Sequence, residues 1–493
     1  MALRTSKFRS CLGIYRVGHW IGIFFCLAGA GGSAQATVPP LAPAPTSPAS
    51  ATAPTPASPT LPPPGLPAVE SEQPSAEERF WAHGKGIPLG PFKVDVGGGL
   101  RLRGEGQDNF NVKRYGDGSQ DLFLLERARL EVCWHFLDDL RLFVQGQDAH
   151  ALGSNFANAD FPNGSPLNNT FDLRQGFVEW THIGGSPVGF KLGRQSIVYT
   201  DSRLMGPGER GNVGRYVWDA AVLTWRSRVL DLDIFYAFRV QYNPSAFDHD
   251  HFDYDVLGVF STAPLGPLQL HAFYFLKMNN FPDSPSAGSF FRHSPGFSFE
   301  GAFASGIDVS AGLVPQFGTW GQLEVRALGG YAVAGYTVPI WGKPRFGVHY
   351  AYASGDSDTA DGTTRTFDGV FGGVAQYYGR MNLFAWMNLH DLQAALSLRP
   401  FGRVKLEADY HLFLLAERRD AWYYATGSSQ RQDTTGAAGR VLGHELDIVV
   451  AVKATPYARL QAGYAWFAPG EFIRSTGAHA YAHWAFLQAA YDF

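Results

Sequence analysis

Apolar and polar residues alternate in segments of about ten positions along this chain, and no apolar stretch reaches the roughly 20 residues a membrane-spanning helix needs. In RARLEVCWHF, Ala128, Leu130, Val132, Trp134 and Phe136 alternate with Arg127, Arg129, Glu131, Cys133 and His135. In DLDIFYAFRV, Leu232, Ile234, Tyr236, Phe238 and Val240 oppose Asp231, Asp233, Phe235, Ala237 and Arg239. RVKLEADYHLFLL repeats the pattern, with Arg403, Lys405, Glu407, Asp409 and His411 on the polar face. A period of two is a strand with unlike faces. One such strand suits a soluble sandwich; many, with aromatic residues near their ends, suit a wall with lipid outside and water inside. Backbone amides in lipid must find partners internally, so strands cross a membrane only as a closed barrel.

Connection lengths agree. Brief turns are expected near Asp138-Asp139, Gly184-Ser186, Arg226-Arg228, Ala263-Gly266, Pro400-Gly402 and Ala454-Pro456. Between them fall long polar loops near 148–168, 196–214, 279–295, 355–383, 417–441 and 468–480. Short periplasmic turns alternating with long outer loops, and both termini on the turn side, predict an antiparallel transmembrane β-barrel of about 18 strands. The stretch from Phe297 to Val338 gives the weakest pattern. The last segment, AFLQAAYDF, places Ala485, Leu487, Ala489, Tyr491 and Phe493 at alternate positions, the form of the signal that outer-membrane barrels present to their insertion machinery.

The first 36 residues carry Arg4, Lys7, Arg9 and Arg16, an apolar run from Ile21 to Ala30, and Ala34-Gln35-Ala36 as a small-x-small cleavage site. They read as a signal peptide. Residues 37–78, mostly Pro, Ala, Ser and Thr, cannot bury a core and read as a disordered, semi-rigid periplasmic tether. The barrel is assigned to 79–493. Without the leader, the 40 basic residues fall to 36 against 44 acidic ones, and a net-acidic chain is not a nucleic-acid binder. Cys133 is then the one remaining cysteine, so no intrachain disulfide is expected.

Several motifs, in this order and spacing, carry a family likeness: LERARLEV, LRQGFVEW, KLGRQSIVYTDSRLMG followed by RYVWDA, YASGDSDTADG, YYGRMNLF, RDAWYYATG, LGHELDIVV and LQAGYAWFAPGEFI. With them the chain resembles the alginate-export family of outer-membrane porins over nearly everything after the tether. The stretch VSAGLVPQFG and the tether itself depart from the family pattern. The resemblance implies a monomeric 18-stranded barrel that passes an anionic polyuronate through a narrow pore lined by arginines and lysines, gated by an outer loop and a periplasmic turn. Its partners would be outer-membrane lipid and lipopolysaccharide, the anionic polysaccharide or solute, and periplasmic export-complex proteins.

With the apolar face outward, Arg101, Arg103, Arg127, Arg129, Arg141, Arg239, Arg326, Arg345, Arg399, Arg403, Lys405 and Arg459 fall on the inner face. A ladder of guanidinium groups matches carboxylates and stays charged at any accessible pH. Glu105, Glu131, Asp233, Glu324, Glu407, Asp409, Glu445 and Asp447 fall inward by the same rule, so ion pairs bracing the wall compete with a free ladder. Arg103, Arg127, Arg129, Arg239 and Arg403 are the leading ladder residues. Lys191 faces inward if Leu192 meets lipid, and Arg215 and Asp219 do so if Trp218, Ala220 and Val222 face out. Asp201, Arg203, Glu209 and Arg210 belong to an outer loop able to fold across the mouth. Arg194 is sent outward by alternation, toward lipid phosphate unless a bulge turns it in.

Rival chemistry is weakly supported. His135 and His411 face inward as in barrel hydrolases, yet neither has an evident serine with an orienting group, and no catalysis is expected. FDHDHFDYD brings together His249, Asp250, His251, Asp253 and Asp255, but reads as a solvated turn before a metal site. Asp356, Asp358 and Asp361 miss the calcium-loop spacing by one residue. No cofactor or metal is required. The alternative within transport is a general or substrate-specific passive porin for other small solutes.

Overall fold

The computed structural model describes residues 84, 86–161, 164–208, 211–279, 289–372 and 377–493, with the backbone alone at 250–254. The leader, the tether, Glu209 and Arg210 lie outside the described residues. Eighteen antiparallel strands close into one barrel. They are β1 Phe92–Phe110, β2 Tyr115–His135, β3 Leu140–Leu152, β4 Asn169–Trp180, β5 Val188–Gln195, β6 Trp218–Arg226, β7 Asp231–Gln241, β8 His249–Leu265 and β9 Leu268–Asn279. Then follow β10 Phe290–Ala302, β11 Ile307–Trp320, β12 Leu323–Thr337, β13 Arg345–Ala353, β14 Leu389–Phe401, β15 Val404–Leu415, β16 Val441–Lys453, β17 Ala458–Pro469 and β18 Ala482–Asp492. Each pairs with its neighbours in sequence, and β18 returns to β1 with Arg103 opposite Gln488. Gly98 and Phe493 exchange two backbone hydrogen bonds, 2.9 and 3.0 Å, at the seam.

The connections sort to two ends. One end carries both barrel termini and the turns 136–139, 181–187, 227–230, 266–267, 303–306, 338–344, 402–403 and 454–457. The other carries 153–168, 196–217, 354–388, 416–440 and 470–481, the last holding the short helix α1, Glu471–Thr476. Connections 111–114 and 321–322 at this outer end are as brief as periplasmic turns, so the alternation of short and long is not strict. The second of these lies in the region of weakest pattern, where β10, β11 and β12 form an ordinary meander.

Sidedness follows from exposure. Leu122 is 79% exposed, Leu487 67% and Val348 65%, each on a strand whose alternate residues are buried. Apolar side chains left this bare on a wall of paired strands are meant for lipid. In β2 the outward set includes Leu124, Leu130 and Val132, while Arg127, Arg129, Glu131 and Cys133 are buried inside. No helix among the described residues is long and apolar enough to span a membrane.

Candidate functional site

The inside of the barrel is not an open tube, because two outer loops fold into it. From loop 196–217, Tyr199, Leu204, Met205 and Tyr216 enter one apolar cluster with Phe367, Phe371, Tyr378 and Trp386 of loop 354–388. The wall contributes Trp218, Phe235, Phe273, Phe275, Tyr331 and Phe413. The two loops are tied to each other: Phe371 donates its N–H to Leu204 O at 3.0 Å, and Gly206 donates to Phe371 O at 3.1 Å. Residue 372 must be glycine for this crossing, since a Cβ there would overlap the Arg203 carbonyl.

Polar side chains pin the loops to the wall. Asn212 of loop 196–217 accepts from Arg101 through Oδ1 at 3.1 Å and from Arg127 through its carbonyl at 3.5 Å. Arg203 lies between the rings of Tyr331 and Tyr377, 4.0 and 4.1 Å from their centres, with Asp201 at 3.3 Å. Desolvated stacking of this kind is worth about 2 kcal/mol per ring. Burial alone would lower the Arg203 pKa, but Asp201 and the surrounding tyrosines outweigh it and raise the guanidinium above its ordinary value. Lys277 Nζ donates to Asp368 Oδ2 at 2.8 Å, and Arg292 to the Thr366 carbonyl at 3.1 Å. Gln316 of β11 accepts from Asp368 N at 3.0 Å and donates to Asp368 O at 2.8 Å, mimicking a strand neighbour.

The charges divide into two sectors of the wall. On β1 and β2, Arg101, Arg103, Arg127 and Arg129 are all buried on the inner face, with Arg101 directly opposite Arg127. Arg103 lies over Phe486 at 4.1 Å and pairs with Glu105 at 2.7 Å; Arg129 donates to Gln147 at 2.7 Å. Toward the periplasm, Glu131 accepts from Gln145 at 2.7 Å, Arg141 donates to Glu179 at 2.7 Å, and Lys191 stands 3.8 Å over the Phe177 ring. On β14, β15 and β16 the inner face is acidic: Asp391, Glu407, Asp409, Glu445 and Asp447. The YYGRMNLF segment docks here. Arg380 reaches Glu407 at 3.3 Å and donates its backbone N–H to Asp447 at 3.3 Å, while Met381 N donates to Glu445 at 2.9 Å.

Other sequence-selected residues take defined places. Arg215 and Arg239 flank Tyr216 at 5.1 and 5.5 Å, Arg345 grips Asp308, Lys405 meets Glu407 at 2.5 Å, and Arg459 meets Asp492 at 2.7 Å. Asp233 pairs with Arg226 at 2.5 Å at the periplasmic end. Four assignments are corrected. Trp218, Ala220 and Val222 are buried inside, so Asp219 faces outward, where it takes a two-pronged grip from Arg194, both bonds 2.9 Å. Arg194 therefore has a carboxylate partner on its own face. Val325 and Ala327 are buried inside, so Arg326 and Glu324 lie exposed outside and pair with each other at 2.8 Å. Arg403 sits in the periplasmic turn 402–403, near the Ala454 carbonyl, not within a strand. Arg399 alternates inward but is exposed at the same end.

Lumen cations missed from the sequence are Arg174, Lys277, Arg292 and Arg380. Arg174 is the extra residue of a β-bulge in β4, where Gln145 pairs with Gln175 and the next residue with Leu173. Its Nη1 donates to Tyr242 Oη at 2.8 Å. Lys277 and Arg292 lie in strands with aromatic residues on both faces, which hides the alternation.

His135 hydrogen-bonds Asp95 at 2.9 Å, and His411 stands 2.9 Å from Asp391 and 3.9 Å from Asp447. Among the described residues no three His, Cys, Asp or Glu side chains gather as metal ligands. The side chains of Asp250, His251 and Asp253 lie outside the described set.

A closed 18-stranded antiparallel barrel with a lipid-facing apolar wall, a charged lumen and loops folded inward is a porin-type channel of the outer membrane. Residues 92–486 match the Alginate export family, and the chain belongs to it. Among solved structures it is similar to OccK8 (OprE) of Pseudomonas aeruginosa, at 12% identity and TM-score 0.55, covering 81% of this chain and 98% of that one. OpdQ of the same organism aligns at 13% identity and TM-score 0.56, covering 81% and 97%. OccAB2 of Acinetobacter baumannii aligns at 9% identity and TM-score 0.55, covering 81% and 98%. No curated protein matches. Family and fold are those of a transport channel that passes solutes.

Proposed function

We propose that this porin passes an anionic polysaccharide, an alginate-like polyuronate, or a related anionic solute along the arginine sector of its lumen. The observation that carries the reading is the crowding of Arg101, Arg103, Arg127 and Arg129 on two neighbouring strands, all facing inward. Guanidinium groups a strand apart let a carboxylate be handed from one to the next, attractive enough to enter and weak enough to leave. Lys191 and Arg141 extend the sector toward the periplasm. Loops 196–217 and 354–388 act as the gate, since they fill the middle of the barrel and touch this sector through Asn212. Residues 37–78 serve as a tether toward periplasmic export partners, and one barrel is the working unit.

The test is single-channel current through purified protein in a planar bilayer, with reversal potential in a salt gradient and then added oligouronate. Anion selectivity and uronate block, both weakened in Arg127→Gln and Arg103→Gln, are expected. A cation-selective channel that ignores uronate would overturn the polyuronate reading. The acidic sector of Asp391, Glu407, Asp409, Glu445 and Asp447 favours a second reading in that case, a passive porin for other small solutes whose lumen orients dipolar molecules between the two sectors.

A further inference from the structure

Four tyrosine–histidine pairs recur at one height on the outside of the barrel. Tyr274 Oη lies 2.7 Å from His293 Nδ1, Tyr350 2.8 Å from His390, Tyr410 2.7 Å from His444 and Tyr464 2.7 Å from His483. In every pair the tyrosine is on a strand rising to the outer end and the histidine is within the first four residues of the next, descending strand. The register is the same four times: His293, His390, His444 and His483 sit opposite Leu276, Tyr352, Leu412 and Trp466, each two residues beyond its tyrosine. Diagonal neighbours of this kind are within reach of long side chains. All eight residues face outward, because their flanking residues Arg292, Asp391, Glu445 and Trp484 are buried inside.

A tyrosine girdle alone would satisfy the interface between lipid and water. Here each hydroxyl is spent on an imidazole. A phenol O–H donating to Nδ1 leaves the proton of the neutral ring on Nε2, and no side chain or carbonyl among the described residues accepts from it. The pair moves a hydrogen-bond donor outward and fixes its direction, in the band where the barrel meets lipid headgroups. His293 is held flat by Phe317, with ring centres 4.9 Å apart and planes 9° apart, so its free edge is set. Arg440 acts electrostatically on His390 and adds positive charge to the same rim.

We propose that His293, His390, His444 and His483 form a belt that hydrogen-bonds the phosphates of an outer-leaflet glycolipid, the lipid A headgroup, along the half of the barrel running from β9 to β18. Fixed donors facing an anion-bearing surface match acceptor oxygens that carry charge, the strongest acceptors available there. The belt holds the outer rim at a set depth and gathers phosphorylated lipid on one side of the channel.

The experiment uses the full chain in detergent micelles and native mass spectrometry with three probes: diphosphoryl lipid A, the same lipid with its phosphates removed, and phosphatidylglycerol. The wild type is expected to hold diphosphoryl lipid A about tenfold more tightly than the dephosphorylated form. The variant His293→Phe, His390→Phe, His444→Phe and His483→Phe combined should lose that preference. Replacing the four tyrosines by Phe keeps the rings but frees their orientation and should lose about half of it on a logarithmic scale. Heat-modifiable gel mobility establishes that each variant is a folded barrel, and the tyrosine variant carries the test if the histidine variant does not fold. Equal binding of the two lipid A forms by the wild type, or an unchanged preference in the folded variants, would overturn the belt. Phosphatidylglycerol bound as tightly as lipid A would overturn the glycolipid as its occupant.

Discussion

Lys277 on β9 and Asp368 on the in-folded loop meet at 2.8 Å, and this contact ties the loop to the barrel wall. Burial alone would raise the Asp368 carboxyl, but Lys277 and Arg292 outweigh it and hold the pKa below the usual aspartate range. A depressed acid contributes stability above its unfolded pKa and loses it as pH falls through the lower folded value. The tie is therefore complete above about pH 4 and weakens in stronger acid. Lys277→Met should raise open-channel conductance at pH 7, whereas wild-type conductance should stay level from pH 7 to 5; planar-bilayer recording reads both.

Gly372→Ala should loosen the two in-folded loops by a different route. A methyl group cannot share space with the Arg203 carbonyl, so the two loops must part where Phe371 and Leu204 now pair. The barrel wall is untouched, so heat-modifiable mobility should remain wild type while conductance rises. Unchanged conductance would show that the crossing does not limit flow.

Arg345 and Asp308 test the bracing role of lumen charges. Two parallel bonds, 2.9 and 2.7 Å, join them with both side chains buried. Asp308→Leu alone strands a buried guanidinium and should cost about 3–5 kcal/mol in urea unfolding. Adding Arg345→Met should restore most of that loss, because the double variant leaves no unpaired charge.

Asp248, in the outer connection before β8, gives a pH signature of opposite sign. Burial is the main cause, with the nearby Asp172 carboxylate adding to it, and together they push Asp248 up to about 6. An acid raised on folding favours the folded form at low pH and loses that advantage as pH climbs from the unfolded value near 4 to about 6. Hydrogen-exchange protection of segment 242–248, taken relative to the intrinsic amide rate at each pH, should fall over that window and then level off. Asp248→Asn should flatten the profile.

The strands were legible because lipid enforces their outer faces, and β2, β7 and β15 read directly from alternation. The rule that apolar means outward failed at Asp219 and Arg326 for one reason. Trp218, Ala220, Val222, Val325 and Ala327 point into a lumen that loops 196–217 and 354–388 have made apolar. Nothing in the local pattern of β6 or β12 announces loops that arrive from elsewhere in the chain. Arg174 was hidden by a bulge, which adds a residue and breaks the count. The arginines of β1 and β2 were legible because there the loop meets the wall through the polar Asn212.

The seam between β1 and β18 sets the order in which the molecule can be made. Arg103 and Gln488, side by side across that seam, are 385 positions apart in the chain. Pairings so distant are the slowest to form, since the loop entropy of the whole chain is lost before the contact rewards it. Until they form, β1 offers a bare edge to any other strand it meets. The edge therefore has to stay away from other strands until the final hairpin arrives, and the fold cannot be completed piecemeal.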